Sequence, residues 1–409
     1  MKSLSKLFRV GPGPSSSHTI APFNAAKSFL KLIPAKKVTK IKVTFYASLA
    51  CTAKGHHSDV AIAKAFAPIP TAFSYDIDTE VEHPLTMKFS AYCGEKMVKE
   101  ATYMSLGGGE LLSHDDPSVN DHDIYPFRDL GEVLSYMKKE NIKTFKEFCL
   151  RFEDPSIDDY LMEITKAMFE TVKKGLRSEG KIPANDNPRL QIMRTAKSMH
   201  DRAISSQAKG DKRTILMSSY AYAAAECSAC GDVVVTSPTC GSSGVLPAVL
   251  YYQYVNKKRT LAEIRDSLYS AGIFGNIVKQ NASIAGSIGG CQAEIGTATS
   301  MAAAALCYLN GLSLYQMEYA AECAMEHFLG LSCDPVDGYV IIPCIERNGV
   351  GATRAYDSYL YAKVIAPIRH NQVSFDDVTN AMKMTGDSLS SAYKETAQGG
   401  LAKILQKKM

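Results

Sequence analysis

The chain reads as an α+β protein, with a mixed α/β N-terminal domain followed by a mostly α-helical C-terminal domain. Three observations carry that reading. Period-two alternation marks strands early in the chain, and a glycine cluster ends one of them. From Asp129 onward apolar residues recur at helical spacing among many small residues.

Lys40-Ile41-Lys42-Val43-Thr44-Phe45 alternates polar and apolar residues, as a strand with one buried face does. Asp59 to Ala67 has the small-residue spacing of a helix, and Tyr103-Met104-Ser105-Leu106 is a short strand stopped by Gly107-Gly108-Gly109. Ser113 to His122, acidic and histidine-containing, reads as a loop. Ser156-Ile157-Asp158-Asp159 has the form of a capping box, with Leu161, Ile164, Met168 and Val172 following at helical intervals. Gly180 to Asn187 has the composition of a boundary. Beyond it, Ser218–Glu226, Thr297–Leu309 and Leu314–Phe328 are Ala-rich helices whose small residues permit close packing around a buried site. The expected divisions are 1–150 for the α/β domain, 151–186 for a helical connection and 187–409 for the helical domain.

Composition excludes several classes. Hydrophobic residues at 46% and charged residues at 22% suit a soluble globular protein. The 46 basic and 42 acidic residues are well mixed, with no basic stripe interleaved with aromatics, so nucleic acid is not an expected partner. No apolar run reaches the roughly 18 residues that a membrane span needs. Met1 to Phe8 holds no apolar stretch of signal-peptide length. The eleven cysteines are odd in number and not spaced as a disulfide scaffold, so a cytoplasmic protein with reduced thiols is expected.

Chemistry concentrates in a few segments. In Gly11-Pro12-Gly13-Pro14-Ser15-Ser16-Ser17-His18-Thr19 a tight turn is followed by four hydroxyls and an imidazole. Such a turn can cradle a carboxylate, and it can equally start a helix capped by serine. It lacks the Gly-Lys-Ser/Thr ending of a P-loop. Ala53-Lys54-Gly55-His56-His57-Ser58-Asp59 lies between strand and helix, where a histidine near an aspartate can act as a general base. A lone histidine is more often structural. Cys227-Ser228-Ala229-Cys230 lacks the second pair that zinc needs and reads as buried thiols. Thr239-Cys240-Gly241-Ser242-Ser243-Gly244 suits a turn presenting backbone N–H groups. Asn281-Ala282-Ser283 precedes Cys291 closely enough for Asn281 and Ser283 to offer substrate contacts.

Cys291, Cys333 and Cys344 form a C-x41-C-x10-C pattern, two of them in Gly/Pro-containing turns. Three thiolates converging from loops can hold an iron–sulfur cube and leave one iron open to substrate. Cysteine also packs as a small hydrophobe, and spacing alone decides neither outcome.

Together these segments resemble one family, the iron–sulfur-dependent L-serine dehydratases (L-serine ammonia-lyases) of single-chain type. The resemblance rests on GPGPSSSHT at 11–19, AKGHHSD at 53–59, His83-Pro84, the Gly107 triplet and SPTCGSSGVLPAVL at 237–250. It continues through NASIAG at 281–286, GGCQAEIGTA at 289–298, GLSCDPVDG at 330–338 and PCIERNGVGA at 343–352, in family order across nearly the whole chain. It implies a beta-type N-terminal domain and an alpha-type catalytic domain. It further implies a [4Fe-4S] cluster on Cys291, Cys333 and Cys344, whose open iron is a Lewis acid toward the serine hydroxyl, and no pyridoxal phosphate. L-serine would lose its Cα proton and hydroxyl, and the aminoacrylate would hydrolyse to pyruvate and ammonia. His56 is implied as the base, with His18 the second candidate or a carboxylate partner. Ser15, Ser16, Ser17 and Thr19 would orient the substrate, and Lys54 would bind the carboxylate or lower a histidine pKa. A homodimer is the usual form of such enzymes.

The chain departs from the family pattern at three places. His57 stands where relatives mostly carry a small residue, and Cys240 where they usually have alanine. The Gly399-Gly400-Leu401-Ala402 segment runs on to Gln406-Lys407-Lys408-Met409 without the tail cysteine that serves relatives as a resting iron ligand, so no tail thiolate and no C-terminal regulatory module are expected. Two rival readings are elimination from L-cysteine or L-threonine on the same cluster, and a non-catalytic amino-acid sensor. The serine-rich turn favours serine, and a sensor has no need of a base.

Overall fold

The computed structural model describes residues 1–34, 37–182, 190–205 and 210–407. The α+β expectation holds. Strand β1 (Val10–Pro12) leads through α1 (Ala21–Leu32) to β2 (Lys40–Tyr46), α2 (Ala47–Thr52), α3 (Ser58–Phe66), β3 (Thr71–Asp76), β4 (Thr86–Cys93), β5 (Lys96–Gly107) and β6 (Glu110–Leu112). The sheet order is β3-β2-β4-β5-β6, with β2 and β3 parallel and the other pairs antiparallel. The alternation in β2 does what its period requires: Ile41, Val43 and Phe45 are buried while Lys40 and Lys42 are exposed. That inner face packs with Phe29 of α1 and Ile62 and Phe66 of α3 in one apolar cluster.

Strand β5 is much longer than Tyr103–Leu106. Its first half, Lys96 to Glu100, is largely exposed on both sides, so no buried face writes an alternation into the sequence. The loop expected at Ser113–His122 is present, with one short 3-10 turn at Pro117–Val119.

Helices then take over: α4 (Leu130–Lys139), α5 (Phe145–Cys149), α6 (Ile157–Arg177), α7 (Ala196–Ile204) and α8 (Lys212–Ala229), followed by strand β7 (Val233–Val235). The rest are α9 (Val245–Lys257), α10 (Leu261–Asn281), α11 (Gly286–Gly289), α12 (Thr297–Leu309), α13 (Leu314–Glu326), α14 (Cys344–Ile365), α15 (Phe375–Ser388) and α16 (Gly400–Gln406). Helix α6 starts where expected but without a capping box, because the Ser156 hydroxyl donates to Asp154 at 2.6 Å instead of capping. True capping boxes open α10 (Thr260/Glu263), α13 (Ser313/Gln316) and α15 (Ser374/Asp377). The boundary expected at Gly180–Asn187 lies largely outside the described residues.

Helix α12 is the axis of the helical part. All of its residues but Tyr308 are buried, and it packs against α9, α10, α13 and α14. Its Met301-Ala302-Ala303-Ala304-Ala305 run lets those neighbours approach closely. The two parts of the chain interleave. Met1, Leu4, Leu7 and Phe8 sit in the helical core with Tyr125 and Phe148, and β1 pairs antiparallel with β7, Val10 opposite Val235. The buried core under the large sheet is drawn from residues between Ala21 and Leu111. No described helix is long and apolar enough to cross a membrane.

Candidate active site

Two turns carry the histidines. Ser15 caps a π-helical turn, Ser16–Ile20, by accepting from the His18 backbone N–H at 3.1 Å, so the serine-rich segment does begin a helix. The Ser17 and Ser15 hydroxyls lie 2.9 and 3.3 Å from His18 Nδ1 and fix its ring. The Thr19 hydroxyl donates to the His56 carbonyl at 2.7 Å, and the Ser58 hydroxyl donates back to the His18 carbonyl. These reciprocal bonds bring the two rings to 4.4 Å between centroids. Gly55, next to His56, backs onto the Gly338 carbonyl so closely that a Cβ would lie 2.7 Å from it.

Both imidazoles are fully buried, and His18 Nε2 and both His56 ring nitrogens have no hydrogen-bond partner. Burial first, then the neighbouring His57, lowers the His56 pKa to about 3, and burial with the His56 charge lowers that of His18. They are neutral imidazoles at neutral pH, able to accept a proton.

The cysteines come together beside this pair. Cys291 and Cys333 sulfurs lie with a Glu294 carboxylate oxygen within 4.8 Å of one another. Cys344 is the first residue of α14, and Cys291 immediately precedes the π turn Gln292–Gly296 that runs into α12. Cys291 and Cys344 thus each stand at a helix N-terminal end, while the Cys291 contact and burial push the Cys333 thiol well up, and burial with the Cys291 charge does the same to Cys344. Cys291 is held toward its thiolate form by the Cys333 thiol and, against burial, by Arg347.

The loops are locked by amides. Gln292 Nε2 donates to the Gly289 and Met382 carbonyls at 2.8 and 3.1 Å, and its Oε1 accepts from Gly330 N–H at 3.0 Å. Asn348 likewise ties the Cys344 end of α14 to the Gly241–Gly244 turn, accepting from Gly244 N–H at 2.8 Å and donating to the Gly241 carbonyl at 2.8 Å.

Two acids that sequence reasoning missed complete the site. Glu294 stands three residues after Cys291, and its carboxylate accepts from the Thr239 hydroxyl at 2.6 Å. That spacing after a cysteine was the available signal. Glu395 arrives from a C-terminal segment, four residues before the Gly399-Gly400-Leu401-Ala402 stretch, the one signal that could have pointed to it. Its Oε1 lies 3.7 Å from His18 Nδ1 and 3.9 Å from His56 Nε2, and its Oε2 is buried without a partner. Burial, then the Glu294 and Cys291 charges, push its carboxyl well above the usual range.

An iron–sulfur group fits these residues. Three free, buried sulfurs lie within electrostatic reach of one another around Arg347, and Gly286 leaves space beside Cys333, since a Cβ there would lie 3.1 Å from its Sγ and 2.9 Å from Glu294 Oε2.

Other expected residues lie elsewhere. Lys54 is exposed, its ammonium 5.2 Å from the Tyr75 ring centroid. Asn281 donates to the Arg128 carbonyl at 2.8 Å, and Ser283 accepts from Ala285 N–H at 3.0 Å. Ser16 is buried in the His18 turn, while the Thr19 hydroxyl is spent on the His56 carbonyl. His57 is half-buried at φ 55°, a left-handed conformation that favours small residues. Cys227 is buried and Cys230 half-buried at the end of α8, and Cys240 is buried in the 239–244 turn.

Comparison with known proteins gives a consistent picture. The serine dehydratase alpha chain family matches residues 128–402, and the serine dehydratase beta chain family matches residues 3–72. L-serine dehydratase 1 of Escherichia coli (strain K12) is 34% identical over 98% of this chain and 99% of its own length. An L-serine dehydratase of Streptomyces coelicolor is 36% identical over 98% of both chains, and one from Helicobacter pylori (strain 26695) is 34% identical over 99% of both.

Proposed function

Because the chain belongs to the serine dehydratase family, we propose that it is an L-serine dehydratase whose [4Fe-4S] cluster is held by Cys291, Cys333 and Cys344. The observation that carries this reading is the meeting of three buried sulfurs with a buried histidine pair whose ring nitrogens lack partners. When bound, the cluster supplies a Lewis-acidic iron that weakens the Cβ–oxygen bond of serine.

The protein's own groups do the rest. His56, neutral through burial, takes the Cα proton on a ring nitrogen. His18, its ring fixed by Ser17 and Ser15, presents Nε2 to the substrate carboxylate as a hydrogen-bond donor. Loss of that proton and of the hydroxyl removes water and leaves aminoacrylate. Its imine tautomer takes water back and gives pyruvate and ammonia. Burial of the site excludes bulk water from the first step.

The test is pyruvate release from L-serine by anaerobically iron–sulfide-reconstituted protein, with visible absorption recorded alongside. Brown protein that forms pyruvate and loses the activity in air supports the reading. Brown protein that acts instead on L-cysteine or L-threonine would change the substrate, and colourless protein would sink the cluster. His56→Ala is expected to keep the absorption and lose at least about 10²-fold in kcat; retained turnover would remove His56 as the base.

A further inference from the structure

We propose that Glu395 receives the α-ammonium group of the substrate and so selects amino acids over analogues lacking that group. This rests on the dehydratase reading above. Among the described residues, no lysine or arginine lies within ion-pair distance of Glu395. The nitrogens of the neutral histidines, at 3.7 and 3.9 Å, lie beyond good hydrogen-bond length. A carboxyl buried without a cation stays neutral, and a cation brought beside it is what lets it carry charge there.

The nearby Arg347 does not supply it. Its guanidinium donates to the Ser332 carbonyl at 2.7 Å and faces Asp334 at 3.7 Å. L-serine brings one positive group, the ammonium. Glu395 lies between the histidines and a proposed cluster ligand: Oε1 faces the histidines, and Oε2 lies 3.4 Å from the Cβ position of Gly286, the same position that is 3.1 Å from Cys333 Sγ. The site's other acid, half-buried Glu294, already has an oxygen engaged by Thr239.

The backbone is built to hold Glu395 there. Its N–H donates to the Cys333 carbonyl at 2.8 Å, and Cys333 N–H donates to the Tyr393 carbonyl at 2.8 Å. Glu395 itself sits at φ 59°, a left-handed conformation that a non-glycine residue keeps only when its surroundings impose it.

The experiment compares L-serine with 3-hydroxypropanoate, which is serine without its ammonium, on reconstituted full-length wild type and Glu395→Gln. Iron content and visible absorption are read in parallel. In the variant the KM for serine is expected to rise on the order of 10²-fold, with iron content unchanged. The inhibition constant and calorimetric affinity of 3-hydroxypropanoate are expected to stay within about threefold of wild type. A variant that weakens both ligands together, or leaves the serine KM unchanged, overturns the proposal. Wild type gives a measurement independent of any variant: 3-hydroxypropanoate should bind on the order of 10²-fold more weakly than serine, and equal binding overturns the proposal. Wild type without pyruvate formation fails the dehydratase reading, and the calorimetric comparison of the two ligands still tests Glu395 separately.

Discussion

His56 shows what burial does to a single side chain. Its pKa falls from an ordinary 6.5 to about 3, so between those values the unfolded chain binds a proton that the folded chain refuses. The stability due to neutral His56 is therefore complete above about pH 6.5 and is lost as pH falls toward 3. Thermal midpoints of wild type and His56→Gln, compared from pH 7.5 to 4.5, should draw together at the acid end; parallel curves would contradict this. His57 is the neighbouring contrast. Replacing it by glycine removes left-handed strain of about 1–2 kcal/mol, offset by about 0.4–1 kcal/mol of added freedom in the unfolded chain. His57→Gly should therefore keep turnover and match or exceed wild-type stability by up to about 1 kcal/mol in urea unfolding. The histidines and cysteines proposed for the site could be singled out in the sequence because imidazole and thiol chemistry is visible in their residue types. Half-buried Glu294 and buried Glu395 were not, since a carboxylate gains meaning only when its surroundings strip it of water, and those are set by partners far along the chain.

Among elements, α12 was readable to its last residue and β5 was not, and the difference is burial. Thr297–Leu309 is enclosed on nearly all sides, so its composition is uncharged and mostly small or apolar. The exposed half of β5 answers to no core and records no period. What no periodicity reveals is how the cysteine-bearing turns are fastened, because that work falls to single amides. Gln292 serves three backbone groups, one each from α11, the turn at Gly330 and α15. Gln292→Ala would leave buried groups unsatisfied and should cost about 2–4 kcal/mol in denaturant unfolding. Iron retained after reconstitution should fall with it; full iron content at wild-type stability would show that the amide clamps nothing.

For the whole molecule, the sheet and the helical part are joined through buried charge as well as apolar contact. Glu110 of β6, 3% exposed, pairs with Lys2 and with Lys279 of α10. Lys279→Met would leave Lys2 as the remaining partner and should cost about 2–3 kcal/mol, below the full penalty for orphaning a buried charge. A loss under about 0.5 kcal/mol by urea unfolding would show that Lys2 alone suffices. The α+β class was readable in the sequence, yet the interleaving was not, because the first eight residues carry no sign of which core they join. The bonds between Cys333 and Tyr393 and between Glu395 and Cys333 have a consequence for biosynthesis. A ribosome that has passed residue 344 has made all three thiols, but the strand-like bridge that steadies the middle one is still untranslated. Nascent chains grow at about 5–20 residues per second, so a half-made protein would expose loose sulfurs for several seconds. Loading of the proposed cluster would then follow the emergence of residue 395 and the closing of that last tether.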